Sequence, residues 1–280
     1  MLIDLHTHST VSDGTQDPGE VVESAAGAGI DVLALTDHDS TAGWAEAADA
    51  AHRLGVTLVP GMEVSCSSGG ISIHLLSYLH DPDDAALAAT VAAARDSREH
   101  RAERMVELLS ADVDISWPFV LEHVGAGATI GRPHIADALV ARGVVRDRTE
   151  AFAGLLSTAG PYYVRYYAPD PVEAVALVRA AGGVPVMAHP RARARGRIVD
   201  DGVIEAMVDA GLMGLEVRHR DNPPADQREL LTLADRWDLL VTGSSDYHGA
   251  GKPNRLAENV TDPEVLDEIV ARATGSSVVR

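Results

Sequence analysis

Short apolar runs alternate with helical stretches over the first 80 residues, and this alternation restricts the folds that the chain can adopt. The apolar runs have the length of strands, and the stretches between them have the amphipathic pattern of helices. Strands that alternate with helices of about 10 to 15 residues predict βα units and a parallel sheet. The predicted strands cover residues 2–6, 32–36, 57–63 and 71–78, and the predicted helices cover residues 18–28 and 42–54.

The same alternation returns after residue 170. Three more strands are predicted there, preceded by helical stretches such as 171–181 and 226–237, and a last helix covers 263–273. These strands cover residues 184–188, 214–217 and 239–244. About seven strands, most with a following helix, predict an α/β fold: a distorted, TIM-like (β/α)7 barrel that is closed or nearly closed.

Residues 81–170 do not follow this alternation. The interval is far longer than a normal connection, and it predicts several helices and no strand. We therefore expect a barrel formed by residues 1–80 and 171–280, and an inserted helical subdomain formed by residues 81–170.

Histidines and carboxylates recur where the predicted strands end. Side chains two residues apart in a strand point the same way, so His6 and His8 project together at the end of the first strand. Asp37 and His38 hold the same place after the second strand. In barrels of this type, active sites lie at the carboxyl ends of the strands. The candidate metal ligands are His6, His8, Asp13, His38, Glu63, His74, His189, Asp246 and His248.

Two explanations fit these side chains. Any one of them could be a polar residue at a strand end that hydrogen bonds satisfy. Nine at matching positions favour a metal site instead, because coordination is one of the few ways to hold so many buried charges together. Imidazole and carboxylate ligands together suit zinc, manganese or iron.

The composition limits the partners of this chain. A formal net charge of −19 at pH 7 argues against binding to long nucleic acid, which needs a basic surface, but allows a small phosphorylated substrate. No apolar run approaches the roughly 18 residues of a membrane span. The first residues lack the pattern of a secretory signal, and Cys66 is the single cysteine, so we expect a cytoplasmic protein.

The motifs HTH, SDG, TDHD, GMEVS, AHP and SDYH resemble those of the PHP family, named for polymerase and histidinol phosphatase domains. The resemblance covers the predicted barrel from end to end and implies seven strands around a trinuclear metal centre. Carried over by motif, it implies a first metal bound by His6, His8, Glu63 and Asp246, a second bound by Asp13, His38 and His248, and a third bound by Glu63, His74 and His189. Many members have a histidine in place of Asp13, and the aspartate adds negative charge at the second metal. The expected cofactors are two to three divalent ions, which leaves manganese, iron and zinc open.

The segment GRPHIADALV, residues 131–140, narrows the resemblance. It is similar to the insertion of a PHP subgroup that dephosphorylates nucleoside phosphates or trims very short RNA. Histidinol phosphatases of the superfamily usually depart from this segment and from the opening that contains His8, Ser9 and Asp13.

Four residues are candidates for substrate binding. Arg132 and His134 could clamp a phosphate, since arginine offers a planar fork, or they could simply begin a helix at Pro133. Arg191 could also touch phosphate, whereas Arg193, Arg195 and Arg197 are expected to be solvated. His219 follows the sixth strand and could protonate a leaving oxygen, bind phosphate or be a hydrogen-bonded histidine at the barrel rim.

A second group of arginines has a simpler explanation. Arg95, Arg98, Arg101 and Arg104 recur every three residues on a predicted helix, with glutamates between them. Pairing on a helix surface explains this pattern, so we expect a solvent-exposed face.

The favoured function is metal-dependent hydrolysis of a phosphate monoester on a nucleotide, either a nucleoside 3′,5′-bisphosphate or a nucleoside 5′-monophosphate. Hydroxide that the metals generate from water would attack phosphorus, and Asp246 could orient it. The alternatives are a 5′-3′ exoribonuclease on short RNA, a histidinol-phosphate phosphatase, and a non-catalytic metal-binding scaffold.

Overall fold

The computed structural model of the protein describes residues 1–125 and 127–280. It contains one seven-stranded sheet whose strands follow one another in chain order. The strands are β1 (Ile3–Thr7), β2 (Val32–Leu35), β3 (Thr57–Ser68), β4 (Ile71–Tyr78), β5 (Val184–Met187), β6 (Gly214–Arg218) and β7 (Leu240–Gly243).

Helices follow most of the strands. The helices next to the sheet are α1 (Pro18–Gly27), α2 (Trp44–Leu54), α7 (Pro171–Ala180), α8 (Asp201–Asp209), α9 (Pro224–Trp237) and α10 (Pro263–Arg272). Between β4 and α7 lie α3 (Ala85–Leu109), α4 (Trp117–Leu121), α5 (Arg132–Ala141) and α6 (Arg148–Ala153). In the described part of the chain, no helix has both the length and the apolarity needed to cross a membrane.

The sheet is nearly closed as a barrel. Its two outer strands, β1 and β7, meet where Thr7 pairs with Tyr247, and the backbone N–H of His8 donates a 2.9 Å hydrogen bond to the carbonyl of Tyr247. The predicted fold class, a distorted TIM-like barrel with inserted helices, is confirmed.

The prediction of a parallel sheet is wrong at one strand. β4 runs antiparallel to both β3 and β5. Gly69 and Gly70 join β3 to β4 with φ angles of 56° and 75°, a conformation that glycine adopts without strain and that permits a tight hairpin. β3 also continues to Ser68 and does not end at Glu63, because its second half pairs with β4 along its whole length.

Alternate residues of the strands divide between two environments. One set, which includes Val59, Leu76 and Val186, forms a single apolar cluster inside the barrel. The other set, which includes Leu33 and Leu75, packs against the surrounding helices. Glu63 lies on β3 in phase with Val59, and Glu216 lies in phase with Gly214, so the barrel interior becomes polar toward one end.

The helices α3 to α6 have an apolar cluster of their own, formed by residues between 102 and 156. The prediction of an exposed arginine face on α3 is wrong for Arg98 and Arg101, which are each 6% exposed. Residues three apart on a helix are rotated by about 60°, so four such arginines cannot share one face. Arg104, at the end of the series, is exposed and pairs with Glu107.

The buried side chain of His80 should make the stability of the protein depend on pH. It is 1% exposed, its Nδ1 lies 2.8 Å from Ser77 Oγ, and burial lowers its pKa to about 4. The unfolded chain, whose histidine has a pKa of about 6.5, therefore binds this proton more tightly, and stability is lost as pH falls from about 6.5 to about 4. The loss from this one group should be about 3 kcal/mol.

We expect His80→Gln, which can keep the hydrogen bond to Ser77, to reduce the difference in urea midpoint between pH 7 and pH 4.5. His52→Gln, at an exposed position of α2, is the matched control and should behave like the unsubstituted protein. If the urea midpoint falls by the same amount between pH 7 and pH 4.5 in both variants, His80 is not the group that causes the loss of stability in acid.

Candidate metal centre

All nine predicted ligands converge at the polar end of the barrel. His6 lies on β1, Glu63 on β3 and His74 on β4, and the others lie in the loops that follow β1, β2, β5 and β7. Because β4 is antiparallel, His74 reaches this end from the first half of its strand, where it is paired with Ser65. Eight of the nine residues are buried, and the His74 side chain is 22% exposed.

The first predicted ligand set comes together as one group. Glu63 Oε2 lies 3.2 Å from His6 Nε2 and 3.0 Å from His8 Nε2. Asp246 Oδ1 lies 3.5 Å and 3.4 Å from the same two nitrogens. These four residues each offer a ligand atom, and the atoms all lie within 4.8 Å of one another.

The second set lies beside the first. His248 Nε2 is 3.1 Å from Asp13 Oδ1, and His38 Nε2 is 3.9 Å from Asp13 Oδ2. His8 joins this group as well, with its Nδ1 3.7 Å from Asp13 Oδ1. His8 thus faces both groups, whereas the motif resemblance assigned it to the first alone.

The third set surrounds the other oxygen of Glu63. Its Oε1 lies 2.7 Å from His74 Nδ1 and 3.1 Å from His189 Nε2. His38 is close enough to complete a group of three with Glu63 and His74. One oxygen of Glu63 therefore faces the first group and the other oxygen faces the third.

The donor atoms fit divalent cations. Asp13 Oδ1, His38 Nδ1 and His248 Nε2 are buried, and none has a hydrogen-bond partner in residues 1–125 and 127–280. Buried lone pairs that face one another without hydrogen bonds repel unless a cation lies between them. Six imidazoles and three carboxylates supply the nitrogen and oxygen ligands that zinc, manganese and iron accept.

Some of these nine side chains have pKa values that favour metal binding. Burial would raise the pKa of Glu63, but the neighbouring charges of His74, His38 and His6 hold it well below its usual range. Burial lowers the pKa of His189 to about 3, helped by the charge of Arg195. Ionised carboxylates and neutral imidazoles are the forms that bind metals.

His6 and His8 differ. Burial would lower the pKa of His6, but the charges of Glu63, Glu216 and Asp246 raise it well above its usual range. Burial would also lower the pKa of His8, but hydrogen bonds to Asp246 and Glu63 and the negative charges around it raise that pKa to about 9. A proton on His8 and a metal ion are therefore alternatives at this place, so metal binding must displace the proton.

Comparison with known proteins assigns the fold to a family. Residues 4–138 match the model of the PHP domain. The chain is 36% identical over 279 residues to a 3′,5′-nucleoside bisphosphate phosphatase from Chromobacterium violaceum, with 99% of this chain and 98% of the relative covered. The chain belongs to the PHP family.

Two other relatives of this chain are named for different activities. A phosphoribosyl 1,2-cyclic phosphate 1,2-diphosphodiesterase from Eggerthella lenta is 32% identical, with 89% of this chain and 95% of the relative covered. A 5′-3′ exoribonuclease from Haemophilus influenzae is also 32% identical, with 88% and 89% covered.

A solved structure agrees with these relatives. A protein from Bifidobacterium adolescentis described as a metal-dependent phosphoesterase superposes with a TM-score of 0.95 at 45% identity, with 97% of this chain and 96% of that chain covered. The predicted class is confirmed: the PHP chain is a metal-dependent phosphoesterase, and the buried histidines and carboxylates support divalent metal binding.

The backbone of the candidate metal centre is strained at two of the nine predicted ligands. His189 has a φ of 31° and Asp246 a φ of 53°, values that residues other than glycine rarely adopt. Such conformations persist only where the surroundings impose them, and they concentrate at functional sites. Asp39, directly after His38, has a φ of 50° and accepts hydrogen bonds from the backbone and side chain of Ser65.

The sequence reasoning missed Glu216. This carboxylate is fully buried on β6, with Oε1 2.9 Å from His6 Nδ1, and it accepts a 2.8 Å hydrogen bond from the backbone N–H of His189. A carboxylate on Nδ1 keeps the proton there and leaves the Nε2 lone pair of His6 free for a metal. Its position between Leu215 and Val217 on an apolar strand was the available signal.

Three cationic or polar groups surround the outer oxygen of Asp246. Arg195 Nη2 donates to Asp246 Oδ2 at 2.6 Å, and Lys252 Nζ donates to it at 3.1 Å. His219 Nε2 lies 3.6 Å from the same oxygen. Burial would raise the pKa of Asp246, but Lys252 and Arg195 hold it well below its usual range. The expectation that Arg195 is merely solvated is wrong, because Asp221 and Asp246 both bind it.

The structure places Arg191 differently from Arg195. The Arg191 guanidinium contacts Asp201 and donates to the carbonyl of Val199 at 3.3 Å. Its backbone N–H donates to Asn222. Substrate contact by Arg191 stays a prediction.

Arg132 and His134 lie at the start of α5. Arg132 Nη1 donates to the carbonyl of Leu156 at 3.0 Å, and its guanidinium lies 5.1 Å from the centre of the Phe152 ring. His134 is buried, its Nδ1 accepts from the backbone N–H of Gly131, and burial lowers its pKa. His134 thus caps the start of the helix, Arg132 contacts α6 and the residues that follow it, and the role of both residues toward substrate stays a prediction.

Glu216→Gln tests the support that this residue gives to the metal centre. The amide keeps the shape but removes the charge that fixes the proton on His6, so the affinity for manganese or zinc should fall about 10- to 100-fold. Titration with buffered metal would measure this change. Glu205→Gln, at an exposed position of α8, is the control and should leave the metal affinity unchanged. Equal affinities in both variants would show that Glu216 does not support the site.

Proposed function

We propose that the protein hydrolyses a phosphate monoester of a nucleotide, with two to three divalent ions of manganese, iron or zinc. The observation that carries this proposal is the geometry around Asp246. Its inner oxygen faces the histidines of the first group, and its outer oxygen faces Arg195 and Lys252. Metal ligands and phosphate-binding cations therefore meet at one carboxylate.

Divalent ions bound by these ligands would lower the pKa of water toward about 7 and offset charge on the phosphoryl oxygens. The protein's own residues would do the rest. Asp246 would orient the attacking oxygen through one carboxylate oxygen, since its other oxygen is fixed by Arg195 and Lys252. The same two cations are positioned to hold a phosphoryl oxygen, because preorganised charges stabilise the negative charge of the transition state.

His219 is proposed to act on the leaving group. Its Nδ1 accepts a 3.0 Å hydrogen bond from the backbone N–H of Asp221, so the neutral ring carries its proton on Nε2. That Nε2 is buried and has no hydrogen-bond partner in the described part of the chain. A donor in this position can give a hydrogen bond or a proton to the ribose oxygen that leaves, or to a phosphoryl oxygen.

The choice of a nucleotide rests on the bisphosphate phosphatase relative and on the helices between residues 81 and 170. We propose that these helices select the substrate and that the barrel supplies the chemistry. None of the nine ligands lies between residues 81 and 170, and segments added at this end of a barrel can reach the part of the substrate that does not react. Arg132 and His134 are the residues proposed to meet that part.

A second candidate is 5′-3′ hydrolysis of short RNA, which the Haemophilus influenzae relative favours. Turnover should be measured on a nucleoside 3′,5′-bisphosphate, a nucleoside 5′-monophosphate, a short RNA and histidinol phosphate, each with manganese, iron or zinc added. Preference for the bisphosphate or monophosphate supports the proposal. Preference for RNA supports the second candidate, and absence of turnover on all four would overturn both.

The ligand assignment predicts the effect of two substitutions. His8→Ala removes a ligand that two groups share, and Asp246→Ala removes a ligand of the first group. Each substitution should therefore abolish hydrolysis and lower the metal content below the two to three ions per chain of the unsubstituted protein. Elemental analysis and circular dichroism would measure metal content and folding. Glu205→Ala, at an exposed position of α8, is the control and should keep both activity and metal content. Normal activity and metal content in His8→Ala would contradict the assignment.

Replacing Arg132 should change the substrate preference of the enzyme. If it binds the distal part of a nucleotide through a charge-assisted contact, Arg132→Ala should lower the ratio of kcat/KM on a nucleotide to that on an aryl phosphate by about 10- to 150-fold. Arg142→Ala, at the other end of α5, is the matched control. Equal losses on both substrates would place Arg132 at the reacting centre, and no loss would leave it a structural start of the helix.

A further inference from the structure

One buried carboxyl group near the metal centre has no place in the ligand sets. Asp4 lies on β1, and its side chain is fully buried. Ile3 and Leu5 belong to the apolar cluster inside the barrel, so Asp4, between them, faces outwards. Among the residues that the structure describes, Asp4 is in none of the groups that could hold a metal ion. Burial of a carboxyl group is costly, so stability alone would favour an apolar side chain at this position.

The two oxygens of Asp4 hold the two ends of one loop. This loop follows β7, and we refer to residues 245–257 as the ligand loop. The backbone N–H of Ser245 donates to Asp4 Oδ1 at 3.0 Å, and the backbone N–H of Ala257 donates to Asp4 Oδ2 at 2.9 Å. The side chain of Asn254, which is 6% exposed, donates to the carbonyl of Ser245 at 2.7 Å. Buried side chains therefore fix both the N–H and the carbonyl of Ser245.

The ligand loop carries three groups of the proposed chemistry. Asp246 and His248 belong to the candidate ligand groups, and Lys252 Nζ donates to Asp246 at 3.1 Å. Asp246 directly follows Ser245, so its backbone begins at the contact with Asp4. The place where the loop leaves β7 therefore determines where the carboxylate of Asp246 can reach.

The middle of the ligand loop has separate support. The backbone N–H of His8 donates to the carbonyl of Tyr247 at 2.9 Å, and the backbone N–H of Thr15 donates to the carbonyl of His248 at 3.2 Å. Asp4 adds a constraint that these contacts lack, because it fixes the start and the end of the loop with one side chain.

The backbone is strained at both ends that Asp4 holds. The φ angle is 53° at Asp246 and 57° at Ala257, in the left-handed region that residues other than glycine rarely adopt. Such conformations persist only where the surroundings impose them. Without its hydrogen bonds to Asp4 the loop could relax, and Asp246 would no longer be held toward the ligands on β1 and β3.

We propose that Asp4, helped by Asn254, is a positioning residue for the metal centre. By holding both ends of the ligand loop, Asp4 sets the places of Asp246, His248 and Lys252 before metal and substrate bind. Ligands that are held in place in this way lose little freedom on binding a metal. The expected effect on turnover rests on the proposed function, whereas the expected effects on the loop and on metal affinity do not.

Asp4→Asn tests the proposal in the full-length, manganese-loaded protein. Asparagine has one acceptor oxygen in place of two, so the variant can hold only one end of the loop. Hydrogen exchange at Ser245 or Ala257, followed by mass spectrometry, should become about 10-fold faster. Competition with a chelator should show a manganese affinity about 10- to 100-fold lower. At saturating manganese, kcat on a nucleotide should fall by a larger factor than KM rises, because Asp246 is proposed to orient the attacking oxygen.

Tyr78→Phe is the matched control. The Tyr78 hydroxyl is buried and donates to the carbonyl of Leu5 at 2.9 Å, so this substitution removes a buried hydrogen bond to β1 without touching the ligand loop. It should lower stability in urea but leave exchange in the loop, manganese affinity and kcat unchanged.

Two results would overturn the proposal. Equal changes in Tyr78→Phe would show that lost stability, and not the position of the loop, causes them. Faster exchange in Asp4→Asn with unchanged manganese affinity and kcat would make Asp4 a structural residue only.

A second variant covers the case in which Asp4→Asn does not fold. Asn254→Ala removes the contact to the Ser245 carbonyl and should produce the same three changes, and unchanged exchange and affinity in this variant would count against the proposal. If the unsubstituted protein hydrolyses no nucleotide, the proposed function fails, but hydrogen exchange and manganese affinity still decide the role of Asp4.

Discussion

The carboxylate of Glu63 is the interaction on which the rest of the centre depends. One of its oxygens faces the first group of ligands, and the other faces the third. The imidazole nitrogens within 3.2 Å of this carboxylate belong to His6, His8, His38, His74 and His189. So many buried bases can gather only around a negative charge, and the position of Glu63 in the middle of β3 fixes that charge by the register of two neighbouring strands.

The helices between β4 and α7 are joined to this centre by polar contacts as well as by apolar packing. Arg98 of α3 binds Asp39 beside His38, and Arg148 of α6 donates to the backbone carbonyl of Asp13 at 3.0 Å. Both contacts end next to residues of the second ligand group. The helices therefore hold two loops of the barrel in place, so a change in either helix can affect the metal centre without touching a ligand.

Two adjoining regions of the molecule carry opposite and incompletely balanced charge. The metal centre brings together carboxylates and imidazole lone pairs, whereas Arg98, Arg101 and Arg132 of the neighbouring helices have a single carboxylate partner, Asp39, among the residues that the structure describes. A fold selected only for stability would pair these charges with one another. Separated clusters of this kind are typical of a site where cations and anions from solution complete the balance, and that requirement follows from metal-dependent chemistry on a phosphorylated substrate.

The order of the seven strands, the helical interval after β4 and the nine candidate ligands could be predicted from the sequence, because periodicity reports which face of an element a residue occupies. The sequence could not determine the direction of β4, since alternation is identical in both directions, nor the burial of Arg98 and Arg101, since a charge pattern does not reveal what packs on a helix. Glu216 and Arg195 acquire their roles through partners far away in the chain, His6 and Asp246. These distant groups meet because the barrel closes, and the local sequence around a residue does not encode that closure.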